Sequence, residues 1–276
     1  MKEISVASPL FLLRFHAQKD LFSVLKNIAA IGFDGVEFIG LFGHPAKEVR
    51  DMLNSLGLQA LGDHIALADY AKEPDRMLED HLTLGCKYLT IGGLPADLTE
   101  DKSEFHKTME TFCSLIEKTK KAGITPLYHN HHYDVAPQEK GLMDKVLMEL
   151  VPHGLRFEPD LGWMVFKNVS PAFYLKKYKD VCPVLHLKDI YAEDLSLLAD
   201  YSPDNGENAA PGGEEHGYFS FCPTGEGIVD YPSLLPLCRD CNPSWLVPDH
   251  DCAYDRDPYE ELSRSLQYTK NLFQIK

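Results

Sequence analysis

Residues 20–40, "DLFSVLKNIAAIGFDGVEFIG", hold the pattern that decides the fold. Leu21, Leu25, Ile28 and Ala29 recur at helical spacing and so share one helix face. Gly32 follows them, and glycine ends helices because it enters the left-handed region without a Cβ penalty. "DGVEFIG" (34–40) then gathers apolar residues into a short run that suits a strand. A similar run, "EISVAS" (3–8), precedes the helix. The stretch is one strand–helix–strand passage.

Working outward, the passage repeats. Helical segments are expected at 45–57 (Pro45 near the start, Gly57 past the end), 73–85, 103–123, 141–151, 170–179, 231–240 and 257–273. Strands are expected at 58–65, 86–93, 124–131, 155–163, 183–191 and 244–251. Eight strand–helix units of roughly 35 residues imply a parallel sheet closed into a (β/α)8 TIM barrel. A doubly wound open sheet is the alternative, but it calls for a Gly-rich phosphate loop after an early strand, and "IGGLPAD" (91–97) lacks that spacing. The expectation is a single domain over 1–276, broken by a long acidic insertion at about 192–222 that contains "DYSPDNGENAAPGGEEHG". Long irregular loops are uncommon; this one reads either as a lid over the site or as a solvated insertion.

The formal net charge is −15, from 27 basic and 42 acidic residues. Such a field disfavours nucleic acid and anionic membrane as partners. No apolar run reaches spanning length, and the opening "MKEISVASPLFLLRF" lacks the core and cleavage site of a signal peptide. The seven cysteines are scattered and odd in number, which suits a reducing, cytoplasmic setting. Cys238 and Cys241 form a C-x-x-C without a second ligand pair and read as structural.

In such a barrel, residues at the C-terminal ends of the strands face one mouth. Those ends carry Glu37, Asp63 and His64, His129 and His131, Glu158 and Asp160, His186 with Lys188 and Asp189, and Asp249 with His250 and Asp251. His129 and His131 are two apart and share a face, which turns Asn130 and His132 elsewhere. Each residue alone has a plain structural reading; Asp160 could cap a helix and Lys188 could pair with Asp189. Their recurrence on successive strands instead suits a divalent metal with O and N ligands. Trp163 offers a flat apolar face to a sugar, or ordinary packing. In "PTGEGIVDY" (223–231), Gly225 and Gly227 read as a tight turn, with Glu226 bonding nearby amides.

"GFDGVEFIG", "LYHNHHYDV", "FEPDLGWMV", "PVLHLKDIY", "PTGEGIVDYPSLL" and "WLVPDHDCAYDRDPYEELSRSLQYTKNL" resemble the sugar phosphate isomerase/epimerase family. That family lies in the xylose-isomerase-like barrel superfamily, which also holds inosose dehydratase and endonuclease IV. The likeness runs from about Asp34 to Leu272. It implies a divalent ion, Mn²⁺ first and Co²⁺, Zn²⁺, Mg²⁺ or Fe²⁺ otherwise, held by one ligand from each of strands five to eight. Those positions are His129, Asp160, His186 and Asp249. His and Asp stand where glutamates are commoner and where the family's epimerases keep their acid/base pair. Glu158 offers the missing carboxylate, as ligand or base.

The expected chemistry is proton abstraction beside the carbonyl of a sugar, keto-sugar or cyclitol, giving an enediolate. His131, Glu158 and Lys188 are the expected catalytic residues; Glu37, His64, Trp163 and His250 are expected to bind substrate. Reprotonation makes an isomerase or epimerase, the leading expectation. Loss of a β-oxygen makes a dehydratase or lyase, the runner-up. A non-catalytic sugar-binding barrel is the reading from another class. Phosphodiester cleavage needs a basic footprint that the charge opposes. Scarce Lys and Arg at the strand ends favour an unphosphorylated substrate, and homo-oligomer assembly is left open.

Overall fold

The computed structural model describes residues 4–92, 94, 98, 102–137, 140–198 and 219–276, with the side chain of residue 197 excepted. Its strands are β1 (Ser5–Pro9), β2 (Gly35–Phe38), β3 (Gln59–Ile65), β4 (Tyr88–Gly92), β5 (Thr125–His129), β6 (Arg156–Glu158), β7 (Val184–His186), β8 (Asp189–Ala192), β9 (Phe219–Cys222) and β10 (Trp245–Val247). Eight of them form one parallel sheet in the order β6-β5-β4-β3-β2-β1-β10-β7. The two ends meet at a parallel bridge between Asp160 and His186, where His186 N donates to Pro159 O at 3.1 Å. The sheet is a (β/α)8 TIM barrel, and its seam passes through two of the expected ligands.

Helices cover the outside at Arg14–Ile31, Ala46–Leu56, Pro74–Leu84, Lys102–Ala122, Leu142–Leu150, Pro171–Tyr178, Tyr231–Asp240 and Pro258–Phe273. The first contains Asp20 in non-helical backbone, and its carboxylate accepts from Ser23 N at 3.0 Å. Asp20 therefore caps a fresh helical start, where the sequence places one. Gly32 closes that helix at φ 103°. Ala7, Leu61, Tyr88, Leu127, Val184, Trp245 and Val247 pack together from six strands and fill the barrel. Fully burying a residue such as Leu127 is worth about 1.5–3 kcal/mol. Among the described residues no helix is long and apolar enough to cross a membrane. All seven cysteines are free thiols, and Cys238 and Cys241 are buried among apolar neighbours.

Three expectations need correction. The run 183–191 is two strands, because the chain turns after Lys188 and β8 leaves the barrel to pair antiparallel with β9. The run 155–163 is a three-residue strand followed by a short helix, Leu161–Phe166, capped by Asp160. Residues 219–222 form β9 instead of irregular chain. Most of the expected insertion, 199–218, lies outside the described residues.

Asp189 explains the turn. Its carboxylate accepts from the amides of Gly225 (2.8 Å), Ile190 (3.0 Å), Gly227 (3.1 Å) and Val229 (3.1 Å). Glu226, expected to bond amides here, instead pairs with Arg264 at 2.8 Å on the surface. A Cβ on Gly227 would collide with Asp189 and with the Ile190 carbonyl, so only glycine passes. Tyr231 then fastens the corner, its hydroxyl donating to Lys188 O at 2.6 Å. Asp189→Ala should destabilise the fold by about 3 kcal/mol, since amides buried in this corner lose their acceptor. A urea-unfolding loss below about 1 kcal/mol would show that the corner is held by other contacts.

Candidate functional site

The C-terminal ends of the strands surround a cavity of about 330 Å³. Its lining includes Glu37 from β2, His64 from β3, His129 at the end of β5 and His131 just after it, His186 at the end of β7 and Lys188 just after it, and Asp249 and Asp251 after β10. Trp163 and Tyr133 give it aromatic walls, with Leu10, Phe11 and Ile39 on the far side. Glu158 and Asp160 are fully buried beneath these residues.

Most of the expected residues are brought together. His186 Nε2 lies 2.9 Å from Glu37 Oε2 and 3.5 Å from Glu158 Oε1, and its Nδ1 lies 3.4 Å from Asp249 Oδ2. His64 Nε2 lies 3.3 Å from both Glu37 Oε1 and Glu158 Oε2. His129 Nε2 lies 3.4 Å from Asp160 Oδ2. Two groups therefore gather ligating atoms within 4.8 Å of one another: Glu37, His64, Glu158 and His186, and His129, Asp160 and His186. His186 belongs to both.

Lys188 is buried to 1 % exposure. It donates to Asp249 at 2.6 Å and to Asp251, stands 3.8 Å from Asp160, and has Trp163 beneath it at 5.2 Å from the ring centre. Its partners are thus Asp249 and Asp251; Asp189 is committed to the corner. Asp160 serves two directions: Oδ1 accepts from Trp163 N at 3.0 Å, while Oδ2 is buried without a hydrogen-bond partner.

Three residues sit away from the cavity: Asp63, which accepts from Gly40 N at 2.7 Å, His250 and His132. His250, three residues past the end of β10, turns outward and bonds Glu261 of the last helix at 2.9 Å. His132 packs on Trp163 and Phe166 outside the mouth. Sequence reasoning placed Asp251 at the mouth without a specific role and missed Tyr133; both line the cavity. For Asp251 the signal was present, two positions after Asp249. Asn130 also escaped it: its amide donates to Asp160 O at 3.2 Å and accepts from Asp160 N at 3.0 Å, replacing a ladder pair between the strand ends.

The charges explain the protonation pattern. Burial opposes charge on His64 and His186, but Glu37 and the neighbouring carboxylates outweigh it and hold both above the ordinary imidazole value, His64 up to about 10. Burial, then positive neighbours, holds His129 and His131 well below it. Burial pushes Asp160 up to about 6, and Lys188 partly offsets that. Asp249 is held well below the carboxylate range by Lys188 and His186 despite its burial.

Five buried carboxylates, Glu37, Glu158, Asp160, Asp249 and Asp251, share this floor with one lysine. His129 Nε2, His186 Nε2, Glu37 Oε1, Glu158 Oε1 and Asp160 Oδ2 are buried without hydrogen-bond partners. Orphaned acceptors with excess negative charge fit a divalent cation with N and O ligands.

Comparison with known proteins agrees with the fold. Over 277 aligned positions the chain is 24% identical to the inosose dehydratase of Geobacillus kaustophilus, covering 90% of this chain and 86% of that one. It superposes on the crystal structure of the probable 3-DHS dehydratase AsbF of Bacillus anthracis with a TM-score of 0.75 at 15% identity, covering 97% and 99% of the two chains. It superposes on the IOLI protein, solved with a bound zinc atom, with a TM-score of 0.73 at 13% identity, covering 98% of each. Residues 25–272 match the family model described as xylose isomerase-like TIM barrel. The chain belongs to the xylose isomerase-like TIM barrel family.

Proposed function

We propose that this protein is a divalent-metal-dependent isomerase or epimerase of an unphosphorylated sugar or keto-sugar, working through an enediolate. The observation that carries the reading is the set of orphaned, buried ligand atoms around His186 at the barrel mouth. When bound there, a divalent ion supplies Lewis-acid polarisation of a carbonyl and its neighbouring hydroxyl.

The chain's own residues do the rest. His131 lines the cavity, stacked on Tyr133 with ring centres 5.2 Å apart. Burial keeps it unprotonated, the form a general base needs. The Lys188 ammonium, held charged by Asp249 and Asp251 against its burial, stabilises negative charge developing on the substrate oxygen. Trp163 borders the cavity but is fully buried, its ring packed on Phe166, Phe221 and the Lys188 ammonium, so it supports Lys188 from below; its Nε1 is buried without a hydrogen-bond partner. Glu37 and His64 line the cavity beside Glu158 and His186. Lys188 is already paired with two carboxylates, so among the described residues the floor offers no unneutralised lysine or arginine to a phosphate.

A second reading, elimination of a β-hydroxyl from the same enediolate, is favoured by the similarity to an inosose dehydratase. The test is direct. Chelator-stripped protein should lose at least about 100-fold in turnover of keto-sugars or cyclitols and regain it with Mn²⁺ or Co²⁺. In D₂O the isomerase reading expects deuterium beside the carbonyl of a product of unchanged mass formula; the elimination reading expects loss of water. Turnover that survives chelation would sink both. A protein that binds sugar and a metal ion but turns nothing over would be the non-catalytic barrel.

A further inference from the structure

We propose that the divalent ion is held by Glu37, His64, Glu158 and His186, and that the Lys188 ammonium takes the neighbouring position among Asp160, Asp249 and Asp251. The inference rests on the metal dependence proposed above and moves the ion from the ligand set implied by family resemblance, His129, Asp160, His186 and Asp249.

Spacing is the first argument. A four-coordinate ion with bonds of about 2.0–2.1 Å needs donor atoms about 3.3 Å apart along the edges of its tetrahedron. His64 Nε2 lies 3.3 Å from Glu37 Oε1 and from Glu158 Oε2, while His186 Nε2 lies 2.9 Å from Glu37 Oε2 and 3.5 Å from Glu158 Oε1, so each histidine faces its own oxygen of each glutamate, and one ligand atom from each of the four residues lies within 4.8 Å of the others. The four residues reach one point from β2, β3, β6 and β7, so no local flexibility is needed to assemble them. Three of the relevant atoms, Glu37 Oε1, Glu158 Oε1 and His186 Nε2, are buried without a hydrogen-bond partner.

Charge is the second. Two carboxylates and two neutral imidazoles balance a dication, and among the described residues Glu37 and Glu158 meet imidazoles and no lysine or arginine. The other set is compromised. Asp249 Oδ2 already receives the Lys188 ammonium at 2.6 Å, and the same ammonium is 3.8 Å from Asp160 Oδ2. An ion shared by Asp160 and Asp249 would sit against a buried like charge, which both carboxylates would then have to neutralise. Asp160 also spends Oδ1 on capping the Trp163 helix.

The test measures binding, not turnover. Full-length protein is purified without a metal column and stripped with chelator. It is then titrated with Co²⁺ by calorimetry, with visible absorption reporting the coordination. Wild type should take up one Co²⁺ per chain with the strong bands of a four-coordinate site. Glu37→Gln and His64→Gln, both close in shape to the native residues, should each weaken Co²⁺ by about 100-fold or more; His129→Gln and Asp249→Asn should change it by less than about 10-fold. The opposite pattern would overturn this assignment while leaving metal dependence standing. Wild type that takes up no Co²⁺ would overturn the assignment and the proposed function together, and would make the four residues a proton-bridged clamp. Circular dichroism of each variant establishes that it is folded before titration.

Discussion

His186→Ala should leave the protein without its metal and reduce kcat/KM by about 10³-fold. The loss follows from position, since His186 alone belongs to both ligand groups and its imidazole contacts Glu37, Glu158 and Asp249. Removing it takes a ligand from either seat for the ion. Metal-ion catalysis is worth several kcal/mol of charge stabilisation in the transition state. At about 1.4 kcal/mol per decade, 4 kcal/mol is about 10³-fold. The backbone contribution survives, because His186 N still donates to Pro159 O across the seam. The barrel should therefore stay closed, and the deficit should appear in metal content and turnover, with little change in secondary structure. Elemental analysis beside steady-state kinetics checks this. A variant that keeps one ion per chain would place the ion away from His186 and remove the basis of both proposals.

Lys188→Met should cost about 3–5 kcal/mol of stability in metal-stripped protein. The side chain is buried, and its ammonium is the countercharge to Asp249 and Asp251, with Asp160 nearby. Methionine keeps much of the volume and the packing on Trp163 but leaves those carboxylates buried and unpaired. The deficit should depend on pH. An unpaired buried carboxylate has a folded pKa above its unfolded value of about 3.9. The native variant then binds protons that the unfolded chain has released, so its stability rises as pH falls from about 8 toward 5. In wild type, Lys188 and His186 hold Asp249 well below that range, so Asp249 adds none of this gain there, while burial already raises Asp251 and Asp160 in both proteins. The gap between the two proteins should narrow on acidification. Urea unfolding at several pH values measures it, and a gap independent of pH would mean that lost packing, not lost charge, is responsible. Adding Asp251→Asn to the variant should recover part of the loss, since it removes one of the stranded charges.

The architecture and most of the mouth were legible in the order of the residues. Strand and helix periodicities are local, and Gly32, Gly57 and Gly85 end their helices at the positions the pattern marks, each with positive φ. Once eight such units are counted, closure follows, and strand-end residues such as Glu37, His64, His129 and His186 must converge. Which of them pair was decided only by the tertiary structure. Asp189 gathers amides from Gly225 to Val229, and this distant loop, not any local signal, turns the chain after Lys188 and sends β8 out of the barrel. Lys188 chose Asp249 and Asp251 over adjacent Asp189 because those carboxylates are brought beside it from β10. His250 was lost to Glu261 on the last helix for the same kind of reason. Local propensity is written along the chain. Charge pairing depends on distances across the barrel, where burial makes every unpaired group expensive and so selects one arrangement among the partners on offer.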